Sequence, residues 1–342
     1  MRVTMKDVAQ KVGVSSATVS LVLNRKENRI PDETKQKIFD AARELGYETK
    51  RQKSLVENKY GRNVIAVIYS EVDHALSEEC LKGIEEYAYI YEYSVIQLYN
   101  MNSSAKCIEQ IWLAASLGAA GIILIPPTDM NTDGNNVLLG KALKECGVPF
   151  MLLDRAIYDV FCNFVTLDNK LSANMATEYL ISHGHRQVGL IVGKRNIYNT
   201  RKRVEGFAEA LTLNGIEHKE EMLYFGEYQR ETGYRGAEQL IGLGIKAIVS
   251  CNAETSLGIY AYAKEHGLKI GEELSLINVG NMREAKWLAP ALTCIFQPGE
   301  QMGRKAAEVI IKLINNDDAK TVKTNYFTPY LVEGESVKDL RG

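Results

Sequence analysis

The sequence has little that would place it in a membrane, around a metal or at a reacting bond. No apolar run approaches the roughly 18 residues that cross a bilayer. The opening "MRVTMKDVAQ" has no apolar core of the kind a secretory signal carries. The cytoplasm is therefore the expected location. The six cysteines (Cys80, Cys107, Cys146, Cys162, Cys251 and Cys294) are scattered, with no C-x-x-C pair. They are expected to be buried free thiols in a reducing compartment. His183 and His185 form an isolated pair with no third ligand in view, so no metal site is expected there. "GLIVGKR" ends on Arg195 where a phosphate loop needs Ser or Thr, and its glycines are too close together. No Ser-His-Asp order and no paired-carboxylate motif stands out. Neither an enzyme nor a cofactor is expected. The terminal "VKDLRG" carries no leucine heptads, so a coiled-coil tetramer is not expected.

What is present is a long, ordinary globular composition with an uneven charge. The 342 residues are 46% hydrophobic and 25% charged, with a net charge of −2. Residues 1–62 hold 14 Lys and Arg against 8 Asp and Glu, leaving 27 against 35 for the rest. A small basic head on a larger acidic body points to an anionic partner for the head alone.

The head has the pattern of three short helices. Thr4 caps the first, with Asp7 three residues on. Met5, Val8, Ala9 and Val12 form its apolar face, and Gly13 and Val14 make a turn. Ser15 caps a second helix with Val19, Val22 and Leu23 inward. A third runs from about Asp32 to Leu45, with Ile38, Ala41, Ala42 and Leu45 inward and Gly46 as its stop. A helix, a tight turn and a capped second helix fit a helix-turn-helix. "ETKRQKSLVENKYGR" then reads as a basic linker.

From Val64 the pattern changes. "NVIAVIY", "GIILIPP", "VGLIVG" and "LSLINVG" are short, nearly continuous apolar runs alternating with amphipathic helices. Strands buried on both faces indicate parallel α/β sheets. The body has room for two such sheets, divided near Thr166–Asn169. A ligand would then sit in the cleft beyond the strand carboxyl ends.

"VTMKDVAQKVGVSSATVSLVLN" followed by "IPDETKQKIFDAARELGY" closely resembles the DNA-binding head of the lactose-repressor/purine-repressor (LacI/GalR) family. "CLKGIEEYA", "AGIILIPP", "PFMLLDR", "VTLDN", "SHGHRQVGLIVG", "RVEGFAEAL", "CNAETSLGIYA", "LTCIFQP" and "MGRKAAEVI" extend the likeness in order and spacing through nearly the whole chain. The resemblance implies a helix-turn-helix head over residues 1–48 and a hinge over 49–62. A two-lobed, periplasmic-binding-protein-like α/β sensor fills 63–342, with crossovers near 166–169 and 293–298. It also implies a dimeric repressor that binds pseudopalindromic operator DNA under control of a small effector. A solute-binding protein of a transport system is the alternative.

On the head, the resemblance places Ser16, Ala17 and Leu21 at base edges. Thr18, Ser20 and Asn24 suit phosphate contacts, joined by the capping Thr4 and Ser15. Many relatives carry Arg where this chain has Leu21, which can pack on a thymine methyl but cannot grip guanine. The lesser alternative is that Leu21 fills the head's own core. In the hinge, Leu55 or Val56 takes the place of the apolar side chain that wedges into the minor groove. Alternatively, the segment is a plain basic tether.

In the sensor, the resemblance places Asp154, Phe164, Arg203, Tyr228, Asn252 and Gln297 around the cleft. Ser70, Glu71, Asp73 and His74 form a reshaped first wall. Asp154 and Arg203 could instead belong to a structural polar network. Relatives commonly have Asn-Asp at Asn252-Ala253 and an Asp pair at Gly280-Asn281. Without that second acid, either Asn281 substitutes for it or the effector is anionic. A sugar, a sugar phosphate or another small polar metabolite remains open.

Overall fold

The computed structural model describes residues 3–23, 30–45, 47, 63–70, 75–132, 134–315 and 322–341. Asn24, Gly46, Leu55, Val56, Glu71, Asp73 and His74, and the proposed hinge over 49–62, lie outside the described residues.

Helix α1 (Met5–Val12) begins where the Asp7 carboxylate accepts from the Thr4 amide at 2.6 Å and the Thr4 hydroxyl at 2.8 Å. It ends at Gly13, whose φ of 76° is a left-handed conformation that costs glycine little. The Gly13 and Val14 amides both return to the Ala9 carbonyl. Helix α2 (Ser16–Leu23) starts with Ser15 Oγ accepting from the Thr18 amide at 3.0 Å. With α3 (Asp32–Leu45), the two close a small core of Val8, Ala9, Val19, Val22, Ile38, Ala41 and Ala42. Met5, Val12, Leu23 and Leu45 pack at its margin. A Lys11–Glu44 ion pair at 2.7 Å joins α1 to α3 across the surface.

The body holds two six-stranded sheets. The first has the order β11-β5-β4-β3-β1-β2, with β1 Val64–Tyr69, β2 Ser94–Tyr99, β3 Gly121–Leu124, β4 Phe150–Leu153, β5 Phe164–Leu167 and β11 Thr324–Phe327. Helices α4 (Ala75–Ile90) and α11 (Gly299–Ile314) cover one face, while α5 (Ser104–Ser116) and α6 (Asn135–Glu145) cover the other. The second sheet has the order β12-β10-β9-β8-β6-β7, with β6 Val188–Val192, β7 Leu223–Phe225, β8 Ala247–Ser250, β9 Ser275–Val279, β10 Thr293–Phe296 and β12 Tyr330–Val332. Helices α7 (Asn169–Ser182) and α8 (Tyr198–Leu213) lie on one side of it, and α9 (Arg230–Gly242) and α10 (Ala253–Glu265) on the other. Among the described residues, neighbouring strands of both sheets pair in parallel except β10 with β12. The central strands are fully buried, as their unbroken apolar runs require.

The chain passes between the lobes after β5, after β10 and after β11. The third passage, between Phe327 and Tyr330, carries no apolar or glycine signal that sequence patterning could use. Helices α4 and α11 touch at reciprocal glycines: a Cβ on Gly303 would lie 2.0 Å from the Cys80 carbonyl, and one on Gly83 would lie 2.1 Å from that of Glu300. That approach fixes α4, and with it the residues α4 lends to the cleft. All six cysteines are free, but Cys146 and Cys162 are only half-buried, since both stand at the ends of elements instead of inside them.

Candidate functional site

On the head, the outward face of α2 follows from its inward one. With Val19 and Val22 buried, Ala17 and Leu21 turn to solvent and Ser16, Thr18 and Ser20 are half-exposed. Leu21 is 36% exposed, which leaves an apolar surface side chain the head's own core does not need. The Thr18 hydroxyl lies 2.8 Å from Ser15 Oγ, so both are engaged in the cap. Thr4 is likewise engaged with Asp7.

Between the lobes lies a narrow, nearly closed cleft with about 30 Å³ of water-accessible space. Leu76, Asp154 and Arg155 line it from the first lobe. Ile197, Asn199, Arg203, Tyr228, Cys251, Asn252, Ala253, Gly280, Asn281 and Gln297 line it from the second lobe and the crossover. The structure thus brings together Asp154, Arg203, Tyr228, Asn252, Asn281 and Gln297. Two expected residues stand apart. Ser70 is buried, and its hydroxyl donates to the Ile125 carbonyl at 3.2 Å. Phe164 is buried in the core of the first lobe, its ring edge-on to Tyr198 at 6.3 Å. Neither belongs to the cavity lining.

Arg203 sits in the second turn of α8 and is 6% exposed. Its Nε donates to Asn169 Oδ1 at 3.0 Å, and one terminal nitrogen donates to the Cys251 carbonyl at 2.7 Å and faces the Tyr228 hydroxyl at 3.5 Å. Among the described residues, no carboxylate forms an ion pair with it. A buried cation held only by neutral acceptors is electrostatically unfinished. Burial pushes the neighbouring Cys251 thiol up to about 11 against the pull of Arg203, so that group stays neutral near pH 7.

Asp154 follows β4 with φ of 67°, an unusual conformation for a residue with a side chain. Its amide donates to the Val165 carbonyl at 2.8 Å and its carbonyl accepts from the Thr166 hydroxyl at 2.8 Å, which holds the turn in place. Its carboxylate lies 3.5 Å from Arg155 Nε and accepts from Asn199 Nδ2 at 3.2 Å. Gly280 has φ of 141°, a region that disfavours any side chain. Asn252 caps α10, accepting from the Thr255 amide at 2.8 Å and donating to the Tyr228 carbonyl at 3.2 Å. Both ends of its amide are therefore engaged.

Several contacts cross from lobe to lobe. Asn199 of α8 reaches Asp154. Asn281 Nδ2 donates to the Glu79 carboxylate of α4 at 2.7 Å. Arg283 pairs with Glu78. The Tyr198 hydroxyl lies 3.5 Å from that of Tyr326, and the Arg201 guanidinium stands over the Tyr158 ring at 5.4 Å. Burial raises the Glu79 carboxyl above the ordinary glutamate range, partly offset by Asn281.

Sequence reasoning missed Asn199 and Glu79. Asn199 lies four residues before Arg203, hence on the same face of one helix, and that spacing was the usable signal. Glu79 stands beside Glu78 in an acidic helix start, and nothing local distinguishes it.

Among the described residues no group of three His, Cys, Asp or Glu is placed to hold a metal, and no helix is long and apolar enough to cross a membrane. The model for "periplasmic binding proteins and sugar binding domain of LacI family" matches residues 62–332, and that for "bacterial regulatory proteins, lacI family" matches residues 4–50. The HTH-type transcriptional repressor PurR of Mannheimia succiniciproducens is 28% identical over 341 residues, covering 98% of this chain and 99% of the relative. The structure of the CelR regulator–cellobiose complex superposes with a TM-score of 0.73 at 22% identity, covering 98% of this chain and 100% of that one. The lac repressor dimer bound to operator and the anti-inducer ONPF gives 0.72 at 22% identity, covering 99% and 100%.

Proposed function

The chain belongs to the LacI family of bacterial regulatory proteins, and from that premise we propose how its parts divide the work. It is a ligand-responsive DNA-binding transcriptional repressor, neither an enzyme nor a transport binding protein. It acts as a dimer, so that two heads meet the two halves of a pseudopalindromic operator. Ser16, Ala17 and Leu21 face base edges, and Thr18, Ser20 and the head's lysines and arginines face phosphates. A small polar effector occupies the interlobe cleft. Asp154, Arg203, Tyr228 and Gln297 contact it, while Asn252 and Asn281 mainly hold the walls.

The observation that carries this reading is the cleft itself: a buried Arg203 with no carboxylate partner among the described residues, set among residues drawn from both lobes, in a chain that also has a helix-turn-helix head. An arginine so placed suits a carboxylate, a phosphate or vicinal hydroxyls. A ligand that bridges Arg203 and Asp154 changes how tightly the lobes close. Since the head is joined to the first lobe, lobe closure alters the spacing of the two heads. The test removes residues 1–62. The truncated chain keeps effector-induced thermal stabilisation and loses DNA binding. Arg203→Ala in the full chain does the reverse, keeping DNA binding and losing the stabilisation.

A further inference from the structure

We infer that the proton is a second regulatory input to the sensor: Glu79 and Asn281 form a cross-lobe latch that closes more readily as the medium becomes acidic. The inference rests on the two-lobed regulator reading above and adds a control that needs no ligand in the cleft. Glu79 belongs to α4 of the first lobe. Its carboxylate accepts at 2.7 Å from Nδ2 of Asn281, which follows β9 of the second lobe.

Asn281 can only donate there. Its Oδ1 accepts from the Gln297 amide at 2.7 Å, and its Nδ2 also donates to the Gln297 carbonyl at 2.9 Å. A flipped amide would set oxygen against carbonyl and carboxylate alike, so the main chain of the crossover locks the donor toward Glu79. A carboxyl group accepts this bond whether it is ionised or protonated. Protonation therefore keeps the latch and removes a half-buried charge.

Among the described residues no cation bonds directly to Glu79. Arg283, the nearby cation of the second lobe, pairs with Glu78 instead. Glu300 of α11 adds a like charge, and its bond to Lys82 holds its own carboxyl below the ordinary glutamate range, with Arg304 assisting. Cys80 of α4 and Tyr330 of β12 face the same carboxylate. Burial raises both, so they stay neutral near pH 7. Burial likewise lifts the Glu79 carboxyl, against the pull of the Asn281 and Gly299 amides and of Arg283. Asn281, Arg283 and Tyr330 all belong to the second lobe, so opening exchanges them for water and returns the carboxyl toward its ordinary value. The closed arrangement then binds a proton more tightly than the open one, and by linkage acid favours closure. The preference is fullest below the ordinary glutamate value and fades as pH rises through the raised one. Acidification thus pushes the lobes the same way as a ligand that closes the cleft.

The experiment follows lobe separation in the full chain, free of ligand and DNA. Spin labels are carried by encoded amino acids at Leu138 of the first lobe and Leu213 of the second, both exposed positions. Labelled chain is diluted into unlabelled chain, so that only distances within one protomer are read. From pH 7 down to pH 4 the closed population grows, its ratio to the open one changing by at most about tenfold per pH unit, the limit for one proton. Glu79→Gln keeps an acceptor without the charge and holds the closed distance throughout. Asn281→Asp sets a second carboxylate opposite Glu79 and moves the transition to higher pH. Glu78→Gln leaves the pH response in place. A wild-type distribution that does not change with pH, or a response that persists in Glu79→Gln, overturns the inference. With no ligand or DNA present, failure here leaves the regulator reading intact. Failure to bind operator, measured separately, would strike that reading and leave this one standing.

Discussion

Asn281 of the second lobe donates to the Glu79 carboxylate of the first at 2.7 Å, and the same amide binds the Gln297 carbonyl at 2.9 Å. One side chain thus ties the second lobe's wall of the cleft to both its neighbour and its opposite. A carboxylate at position 281 would face Glu79 across the cleft and repel it, so an amide there suits the acid on α4.

Glu79 makes this latch sensitive to pH. Its folded-state carboxyl is raised by burial, so the folded chain holds a proton more tightly than the unfolded chain does. Stability from this group is therefore fullest at low pH and is lost as pH rises from the ordinary glutamate value through the raised one. Glu79→Gln keeps an acceptor for Asn281 and removes the charge. Thermal melts from pH 4 to 7 should show the variant gaining on the wild type as pH rises. Parallel curves would show that Glu79 does not titrate in that window.

Arg203 holds the second lobe together as well as facing the cleft. Arg203→Ala leaves the buried Cys251 carbonyl and Asn169 Oδ1 without their donor. A loss of about 1–3 kcal/mol is expected in urea denaturation. Arg203→Lys restores the charge but not the fork, so it should recover part of the stability and little effector affinity. Full recovery of effector affinity by lysine would show that a point charge suffices.

The head depends on a very small core. Ile38 is fully buried among α1, α2 and α3. Ile38→Ala should cost about 2–5 kcal/mol, more than so small a core can easily bear. Operator binding should disappear while effector stabilisation of the sensor stays at wild-type strength, as titration calorimetry would show. Loss of both would mean that the two parts do not fold independently.

Leu21 is the large exposed apolar residue on the outward face of α2. Leu21→Arg should move preference toward guanine at one position of each half-site, by about 1–3 kcal/mol. Competition assays with single-base operator variants would measure this. An unchanged preference would show that Leu21 does not meet a base.

Much of the architecture was legible because it rests on local patterns. The Thr4–Asp7 cap, the Gly13 turn, the Ser15 cap and the buried face of Val19 and Val22 each follow from residue chemistry within a few positions. The buried strands Gly121–Leu124 and Val188–Val192 could be read from their unbroken apolar runs. The cleft was legible only in part. Asp154 stands out at the end of an apolar strand, but Arg203 lies in the charged run Arg201-Lys202-Arg203, and whether a side chain points into the cleft depends on how two lobes meet. Ser70 follows the carboxyl end of β1 and turns into the first lobe's interior, while Phe164 opens β5 and packs its ring against Tyr198 of the second lobe. Glu79 meets Asn281 across 202 residues of chain, a distance over which local patterning carries no information.

The most direct test of the account is selection of binding sites from a random duplex library by the purified full chain, followed by affinity measurements across salt. The account predicts an enriched inverted repeat, bound far more tightly than random duplex. Its affinity should fall steeply as salt rises, as phosphate neutralisation by the basic head requires. A pool without an inverted repeat, or equal affinity for selected and random duplex, would contradict it.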